Sequence, residues 1–348
     1  MAYAKSMLIR AALALMLASC GGGSSGSANS GGQAPAPVAS PSPTPSPTPS
    51  PTGTQTPPTG TWQLVWADEF SGTAIDTAAW NLIEDCWGGG NDERQCYTAR
   101  PENVSLANGN LVITAREEQF TGDAWPADQK PFVANPDAQK TQGFTSGKLT
   151  TKGKLDWRYG RIEMRAKLPQ GQGVWPAFWM MPEDNVYGTW AASGEIDIME
   201  TVNLGVICGQ CPAGGENRIY GTLHYGGQWP NNVFRNMRRE LPEILSGGYH
   251  TFGVVWEEGR FTWTIDGVPY GSMQAGDWFT TGSANANAPF NEDFHLIVNL
   301  AIGGRWPENE GVGGVSTLNF PKRMEIDWIR VYRCDADKAT GKGCLQGN

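Results

Sequence analysis

Beyond residue 60, hydrophobic residues come in short alternating runs rather than in long amphipathic helical stripes. One predicted hairpin joins Thr251–Trp256 to Phe261–Ile265 through a turn at Glu258-Gly259. A second turn, at Asp266-Gly267, has the composition of a tight type I′ connection. Further strands are predicted at residues 294–301 and 324–332. Many short strands separated by turns are typical of an all-β sandwich or barrel.

The N-terminus has the pattern of an export signal. Basic residues (Lys5, Arg10) precede an apolar run, Ala11–Ala18, that is too short to span a membrane. The segment Leu17-Ala18-Ser19-Cys20 resembles a bacterial lipobox, whose cysteine is acylated. The alternative is an ordinary cleavage site beside an incidental cysteine. We expect an exported protein held by a lipid on Cys20, at the outer membrane or cell surface.

Residues 21–60 form a predicted tether. They are rich in glycine and serine and then in proline, serine and threonine, with the four residues Pro41–Thr44 repeated directly afterwards. Such a segment cannot bury a core and is expected to be a semi-rigid spacer. Residues 61–348 are enough for one large catalytic β-domain, which we expect to be monomeric.

Charge limits the partners of this domain. The whole chain has a net charge of −9, and loss of Lys5 and Arg10 with residues 1–20 leaves −11. An acidic domain argues against nucleic-acid binding and against sulfated polysaccharides, which favour basic sites. A neutral polysaccharide fits better.

Six cysteines remain when Cys20 is set aside, an even number that suggests disulfides in an exported chain. Among the fifteen possible connectivities, we predict the pairs closest in sequence. These are Cys86–Cys96, Cys208–Cys211 and Cys334–Cys344. A redox pair or half a zinc site at Cys208-x-x-Cys211 is the alternative, but the chain has no second such motif.

The run from Glu195 to Glu200 places three carboxylates in a strand-like segment. Alternation puts Glu195 and Asp197 on one face and Glu200 on the other. One extra residue in a β-bulge, with Met199 as the candidate, would return Glu200 to the face of its partners. Paired carboxylates on one face are the machinery of glycoside hydrolysis.

Acidic residues on strands are usually just solvated, so the flanking sequence matters. The upstream run Val174–Pro182 is dense in aromatic residues. Aromatic side chains can fill a sandwich core, and they can also stack on the C–H groups of a sugar ring. Both uses are compatible when a cleft lies on one face of a sheet.

Together these segments resemble glycoside hydrolase family 16, in particular its laminarinase-like endo-β-1,3-glucanases. The resemblance covers roughly residues 61–334. It is carried by Trp66–Phe70, Asn103-Val104, Asn108–Ala115, Tyr159–Pro169, Trp175–Trp179, Glu195–Glu200, Tyr220–Tyr225, Asn299–Gly304 and Ile326–Tyr332.

The resemblance implies a β-jelly roll, two curved antiparallel sheets with a glycan cleft on the concave face. It makes Glu195 the nucleophile, Glu200 the general acid/base, and Asp197 the residue that orients Glu195. Neighbouring carboxylates push their pKa values apart, which suits one ionised and one protonated partner. Two carboxylates this close along a strand favour the short separation of a retaining enzyme.

The resemblance also suggests glycan contacts. Trp175 and Trp179 would bind the non-reducing side; being four apart with Pro176 between them, they are not expected simply to share a strand face. Weaker candidates are His224, Arg165, Asn103 and Trp306, any of which could be structural.

No cofactor is expected for catalysis, because the three histidines lack the paired spacing of a catalytic zinc site. The family pattern does suggest a structural calcium on the convex face. Its oxygen ligands would come from Glu69, Gly109 and Asp327.

We therefore predict an anchored enzyme that cuts laminarin-type or mixed-linkage β-glucan. Other family 16 activities (agarase, carrageenase, lichenase, transglycosylase) stay open, although Met199 argues against the lichenase pattern and the charge against sulfated substrates. A non-catalytic glucan-binding protein is a further alternative, but such proteins generally lose one of the carboxylates.

Overall fold

The computed structural model describes residues 60–208, 211, 215–240, 247–310 and 312–345. The signal segment, Cys20 and the tether up to residue 59 lie outside the described residues. The described strands are β1 (Trp62–Asp68), β2 (Asn81–Leu82), β3 (Gln95–Tyr97), β4 (Val104–Ala107), β5 (Asn110–Asp123), β6 (Gln139–Ser146), β7 (Lys148–Thr150), β8 (Gly160–Lys167), β9 (Val174–Pro182), β10 (Glu195–Glu200), β11 (Arg218–Gly226), β12 (Asn232–Glu240), β13 (His250–Glu257), β14 (Arg260–Ile265), β15 (Val268–Gln274), β16 (Phe294–Ile302) and β17 (Lys322–Cys334).

The strands form two sheets, which confirms the predicted jelly-roll class. The first sheet follows the order β15-β14-β13-β8-β17-β5-β6-β3, with β1 also on β17 and β4 also on β5. The second follows the order β12-β11-β10-β9-β16-β7-β2. All pairings between these strands are antiparallel except β3 with β6. Helical structure in the described part is limited to a 3-10 turn, Lys130–Phe132, and one short helix, α1 (Arg305–Asn309).

The predicted hairpin is confirmed. β13 pairs with β14, and β14 turns into β15 through Asp266 and Gly267. Both turn residues have positive φ, 51° and 74°, as a type I′ turn requires. No helix among the described residues is long and apolar enough to cross a membrane.

The inner faces of the two sheets bury a core of large aromatic and aliphatic side chains. Trp256, Phe261 and Trp263 are fully buried. The indole nitrogen of Trp263, on β14, donates to the backbone oxygen of Asp197, on β10, at 2.9 Å. This bond ties the two sheets together directly behind the predicted catalytic strand.

The three predicted disulfides are confirmed. They join Cys86 to Cys96, Cys208 to Cys211 and Cys334 to Cys344. The last one fastens the end of β17 to the C-terminal segment. The Cys208-x-x-Cys211 pair is thus a disulfide.

Candidate active site

The catalytic strand β10 lies in the second sheet between β9 and β11. Glu195 is opposite His224, and Asp197 is opposite Thr222 on β11 and Trp179 on β9. Alternation between faces directs the intervening Ile196 into the core, where it is fully buried. Glu195 and Asp197 therefore share the face that points away from the core.

The register of β10 slips between Asp197 and Glu200 against both neighbours. On the β9 side Met199 pairs with Phe178, so the residue without a partner is Ile198, not Met199 as the sequence suggested. The predicted bulge is present and has the predicted effect. Glu200 lies opposite Tyr220 and returns to the face of Glu195 and Asp197.

Glu195 sits in a polar pocket with a cation at its side. The indole nitrogen of Trp190 donates to Oε2 of Glu195 at 2.6 Å. Nε2 of His224 lies 3.7 Å from Oε1 of Glu195 and 3.2 Å from Oδ2 of Asp197. The Asp197 side chain is only 3% exposed, whereas that of Glu195 keeps 15% exposure. Of the two, Glu195 is the carboxylate that a substrate can reach.

Glu200 sits instead beside an aromatic wall. The indole nitrogen of Trp175 donates to Oε1 of Glu200 at 3.0 Å. Trp306 packs edge-on against Trp175 and Tyr220, with ring centroids 5.4 and 5.1 Å apart. Three of the predicted residues, Glu200, Trp175 and Trp306, are therefore gathered at one place.

Burial and neighbouring charges shift the pKa values of Glu195, Glu200 and His224. Burial and the charge of Asp197 raise the pKa of Glu195 to about 7, against the opposing effects of His224 and the Trp190 indole. Burial, then Asp197 and Glu195, raise the pKa of Glu200 well above its usual range. Burial alone would lower the pKa of His224, but the neighbouring carboxylates raise it to about 10. His224 is therefore a cation at neutral pH.

Trp175 and Trp179 do share a face, contrary to the sequence-based expectation. β9 runs as a continuous strand through Pro176, so residues four apart point the same way. The indole nitrogen of Trp179 donates to Oδ1 of Asn299 at 2.7 Å, and Nζ of Lys148 lies 5.1 Å from the centroid of its ring.

Two predicted glycan contacts are not brought to this face. Arg165 lies on β8 in the first sheet, where it is paired with Asp327 and lies 4.8 Å from the Tyr249 ring. Asn103 is fully buried and donates to the backbone oxygen of Thr114 at 2.9 Å. The side chains of both residues serve the framework of the fold.

Strand pairing brings the segments that carry the proposed calcium ligands close together, but their carboxylates are paired with arginines. Along β17, the neighbouring strand changes from β5 to β1 close to Asp327. The end of β1 and the turn before β5 therefore lie close together there. The carboxylates, however, face guanidinium groups: Glu69 accepts two 2.8 Å bonds from Arg330, and Asp327 pairs with Arg165. In this arrangement both acids are paired with guanidinium groups.

Four residues of the site were missed by sequence reasoning: Trp190, Tyr220, Asn299 and Lys148. Trp190 lies five residues before Glu195, and an aromatic residue so close to the acidic motif was a usable signal. Tyr220 and Asn299 stand in segments that carry the family resemblance, but the place of Tyr220 opposite Glu200, and of Asn299 and Lys148 beside Trp179, depends on strand pairing.

Comparison with known proteins places this geometry in a family. The model of glycosyl hydrolases family 16 matches residues 91–330. The chain is 41% identical over 288 residues to glucan endo-1,3-beta-glucosidase A1 of Niallia circulans, covering 80% of this chain but only 39% of that enzyme. It is 40% identical to the glucan endo-1,3-beta-glucosidase of Cryptopygus antarcticus, covering 78% of this chain and 93% of that one.

The X-ray structure of the laminarinase from Rhodothermus marinus superposes with a TM-score of 0.64 at 32% identity, covering 79% of this chain and 99% of that one. The residues matched by the family model, 91–330, include β9, β10 and β11, which hold the three carboxylates and their neighbours. The chain is a glycoside hydrolase, and it belongs to glycosyl hydrolases family 16.

Proposed function

We propose that this protein is a retaining endo-β-1,3-glucanase that cuts laminarin-type β-glucan. Names of the relatives support the linkage, since two of them are glucan endo-1,3-beta-glucosidases. The observation that carries the chemistry is the contrast between Glu195, beside a cation, and Glu200, beside an aromatic wall. Different surroundings allow two carboxylates on one face to hold different protonation states.

Glu195 is the nucleophile. The cationic His224 and the indole N–H of Trp190 both favour its ionised form. Its carboxylate oxygen attacks the anomeric carbon, and the glycosidic C–O bond breaks with its electron pair leaving on the oxygen. The product of this step is a glycosyl ester on Glu195.

Glu200 is the general acid and then the base. The raised pKa keeps its proton on near neutrality, so that it can protonate the departing oxygen. In the second step it takes a proton from water as the water oxygen attacks the anomeric carbon. The ester bond then breaks, and Glu195 leaves as a carboxylate. Two displacements at one carbon retain its configuration.

Asp197 and His224 position and tune the nucleophile rather than react. Asp197 is almost fully buried behind Glu195, and its negative charge is balanced by His224 at 3.2 Å. Without that cation, two carboxylates so close together would strongly resist being ionised at once. The pair therefore holds Glu195 in place and moderates its pKa.

The half of the glucan that stays on the enzyme is proposed to lie over β9, where Trp175 and Trp179 share the cleft face. Their indole nitrogens are fixed by Glu200 and Asn299. Fixed planar rings suit stacking on sugar C–H groups at little cost in side-chain entropy.

The same proposal includes cleavage of mixed-linkage β-glucan as a second substrate. A transglycosylase is the second candidate, because a glycosyl ester on Glu195 can be intercepted by a sugar as well as by water. The retention of both glutamates and of their hydrogen-bond donors favours an enzyme over a pure glucan-binding protein.

Product analysis on a panel of polysaccharides tests the proposal. The panel holds laminarin, mixed-linkage β-glucan, agarose, carrageenan and carboxymethyl cellulose. We expect short β-1,3-glucose oligomers from laminarin, with the anomeric configuration retained in the first NMR spectra. Cleavage of a galactan without cleavage of laminarin would overturn the substrate, and inversion would overturn the mechanism.

Two further proposals concern regions away from the cleft. We propose that Cys20 carries a lipid that holds the exported domain at the outer membrane or cell surface; support comes from the lipobox-like segment and the tether that follows it. We also propose that calcium can bind near Asp327 if the arginines withdraw, on the strength of the register that brings β1, β5 and β17 together.

A further inference from the structure

The outward face of the edge strand β12 carries a row of three exposed side chains, of which Arg238 lies 3.7 Å from Glu240 on the same strand. Phe234, Asn236 and Arg238 alternate with residues of the inward face. The direction is fixed by Met237, which packs against the core and whose side chain leaves no room for a Cβ on Gly271 of β15. The row therefore points away from the first sheet, as the carboxylates do.

Strand register continues the rows of the active site into β12. The rows across β10, β11 and β12 are Glu195–His224–Phe234, Asp197–Thr222–Asn236 and Glu200–Tyr220–Arg238. With neighbouring strands roughly 4.8 Å apart, β12 lies about 10 Å from the catalytic strand. If the first glucosyl unit of the departing half lies over β11, the second unit lies over this row of β12.

Phe234 is a large apolar side chain left 58% exposed at this place. Its ring centroid lies 5.6 Å from that of His224, which in turn lies 5.7 Å from that of Trp190. The three rings form a continuous path that begins at the hydrogen bond to Glu195. Scattered exposed hydrophobic residues are ordinary, but one that extends the ring lining of a cleft is suited to binding.

The side of the cleft follows from the proposed function, on which this inference rests. The retained half of the glucan is seated over β9, with Trp175 and Trp179. Because β9 and β11 flank β10 on opposite sides, the departing half must cross β11 toward β12.

We propose that Phe234, Asn236 and Arg238 form a subsite for the second glucosyl unit of the departing half. Phe234 supplies a ring for stacking, while the amide of Asn236 and the guanidinium of Arg238 supply hydrogen-bond donors to sugar hydroxyls. The same subsite receives the acceptor sugar when a saccharide replaces water in the second step.

Phe234→Ala separates this role from the chemistry. On laminarihexaose, we expect kcat/KM to fall roughly two- to tenfold, the range typical of one lost aromatic contact. On 4-nitrophenyl β-laminaribioside, which places only an aryl group on the departing side, the rate should stay within about twofold of the wild type. With added laminaribiose, the ratio of transfer to hydrolysis should fall.

Two variants control the experiment. Phe234→Trp keeps a stacking ring and should restore cleavage of the hexaose. Val233→Ala truncates the neighbouring residue, which lies on the opposite face of the same strand, and should leave both substrates unaffected.

The outcomes are distinct. Equal losses on both substrates, or an unchanged rate on the hexaose, would overturn the subsite. Failure of the wild-type protein to cut any β-1,3-glucan would overturn the proposed function instead.

Discussion

His224 and Asp197 form a close pair under the nucleophile, with Nε2 of His224 only 3.2 Å from Oδ2 of Asp197. The same imidazole lies 3.7 Å from Glu195. One cation therefore balances two carboxylates that would otherwise repel each other. The ionisation of the site depends on this pair.

Removing the cation should move the pH profile. His224 lowers the pKa of Glu195, so in His224→Asn that pKa should rise above about 7. Because Glu195 must be ionised to attack, the acid limb of kcat/KM should move to higher pH, by about one unit or more. The pH profile on laminarin measures this. An acid limb that stays in place or moves to lower pH would contradict the assigned role.

Substitution of Glu195 and of Glu200 should have different kinetic effects. Glu195→Gln removes the nucleophile and should abolish turnover of every substrate. Glu200→Gln removes acid catalysis, worth about 10²–10⁴-fold, and should spare the first step on an aryl glycoside whose leaving group needs no proton. A burst of 4-nitrophenol from Glu200→Gln checks this, with unchanged circular dichroism as the control for folding. Full activity of either variant on laminarin refutes the assignment.

The same burial that suits catalysis should lower stability. The pKa of Glu195 is raised from 4.5 to about 7, so the folded protein holds this proton more tightly than the unfolded chain does. Stability from this group is therefore lost as pH rises between those two values. Glu195→Gln should be more stable than the wild type at pH 8, by up to about 3 kcal/mol, and equally stable at pH 4. Urea unfolding at both pH values measures the difference, and an equal or lower stability of the variant at pH 8 would contradict it.

Calcium near Asp327 should be visible as a change in thermal stability. Added calcium should raise the melting temperature of the chelator-treated protein, because a ligand that binds only the folded state stabilises it. Magnesium serves as the control cation, and Glu69→Gln should remove the calcium effect. If calcium does not change the melting temperature of the wild type, Glu69 and Asp327 stay paired with their arginines and the calcium proposal is wrong.

Lipidation of Cys20 predicts covalent labelling of the chain by radioactive palmitate in a bacterial host. Cys20→Ala should lose the label while the released domain keeps its activity, because the substitution lies far in sequence from the catalytic strands. Membrane fractionation gives a second readout. An unlabelled wild-type chain would favour the ordinary cleavage site.

Strand alternation and turn chemistry made much of the fold readable in advance. The hairpin around Asp266-Gly267 needs only local backbone preferences, and the three disulfides join residues ten or fewer positions apart. The bulge in β10 was also foreseen, since three carboxylates at this spacing reach one face only with an extra residue. Which residue would be extra was missed, because the partner strands decide it.

The sequence by itself indicated an all-β sandwich or barrel, the acidic motif and a pairing of neighbouring cysteines, because each depends on residues that are close together along the chain. The choice of the jelly roll came from the family resemblance. Only the tertiary structure decided that Arg165 and Asn103 belong to the framework, that Trp190 and His224 flank Glu195, and that Phe234 extends the cleft. These relations arise from the register between strands distant in sequence. That register is set by how the whole sheet buries its inner face, and no local pattern specifies it.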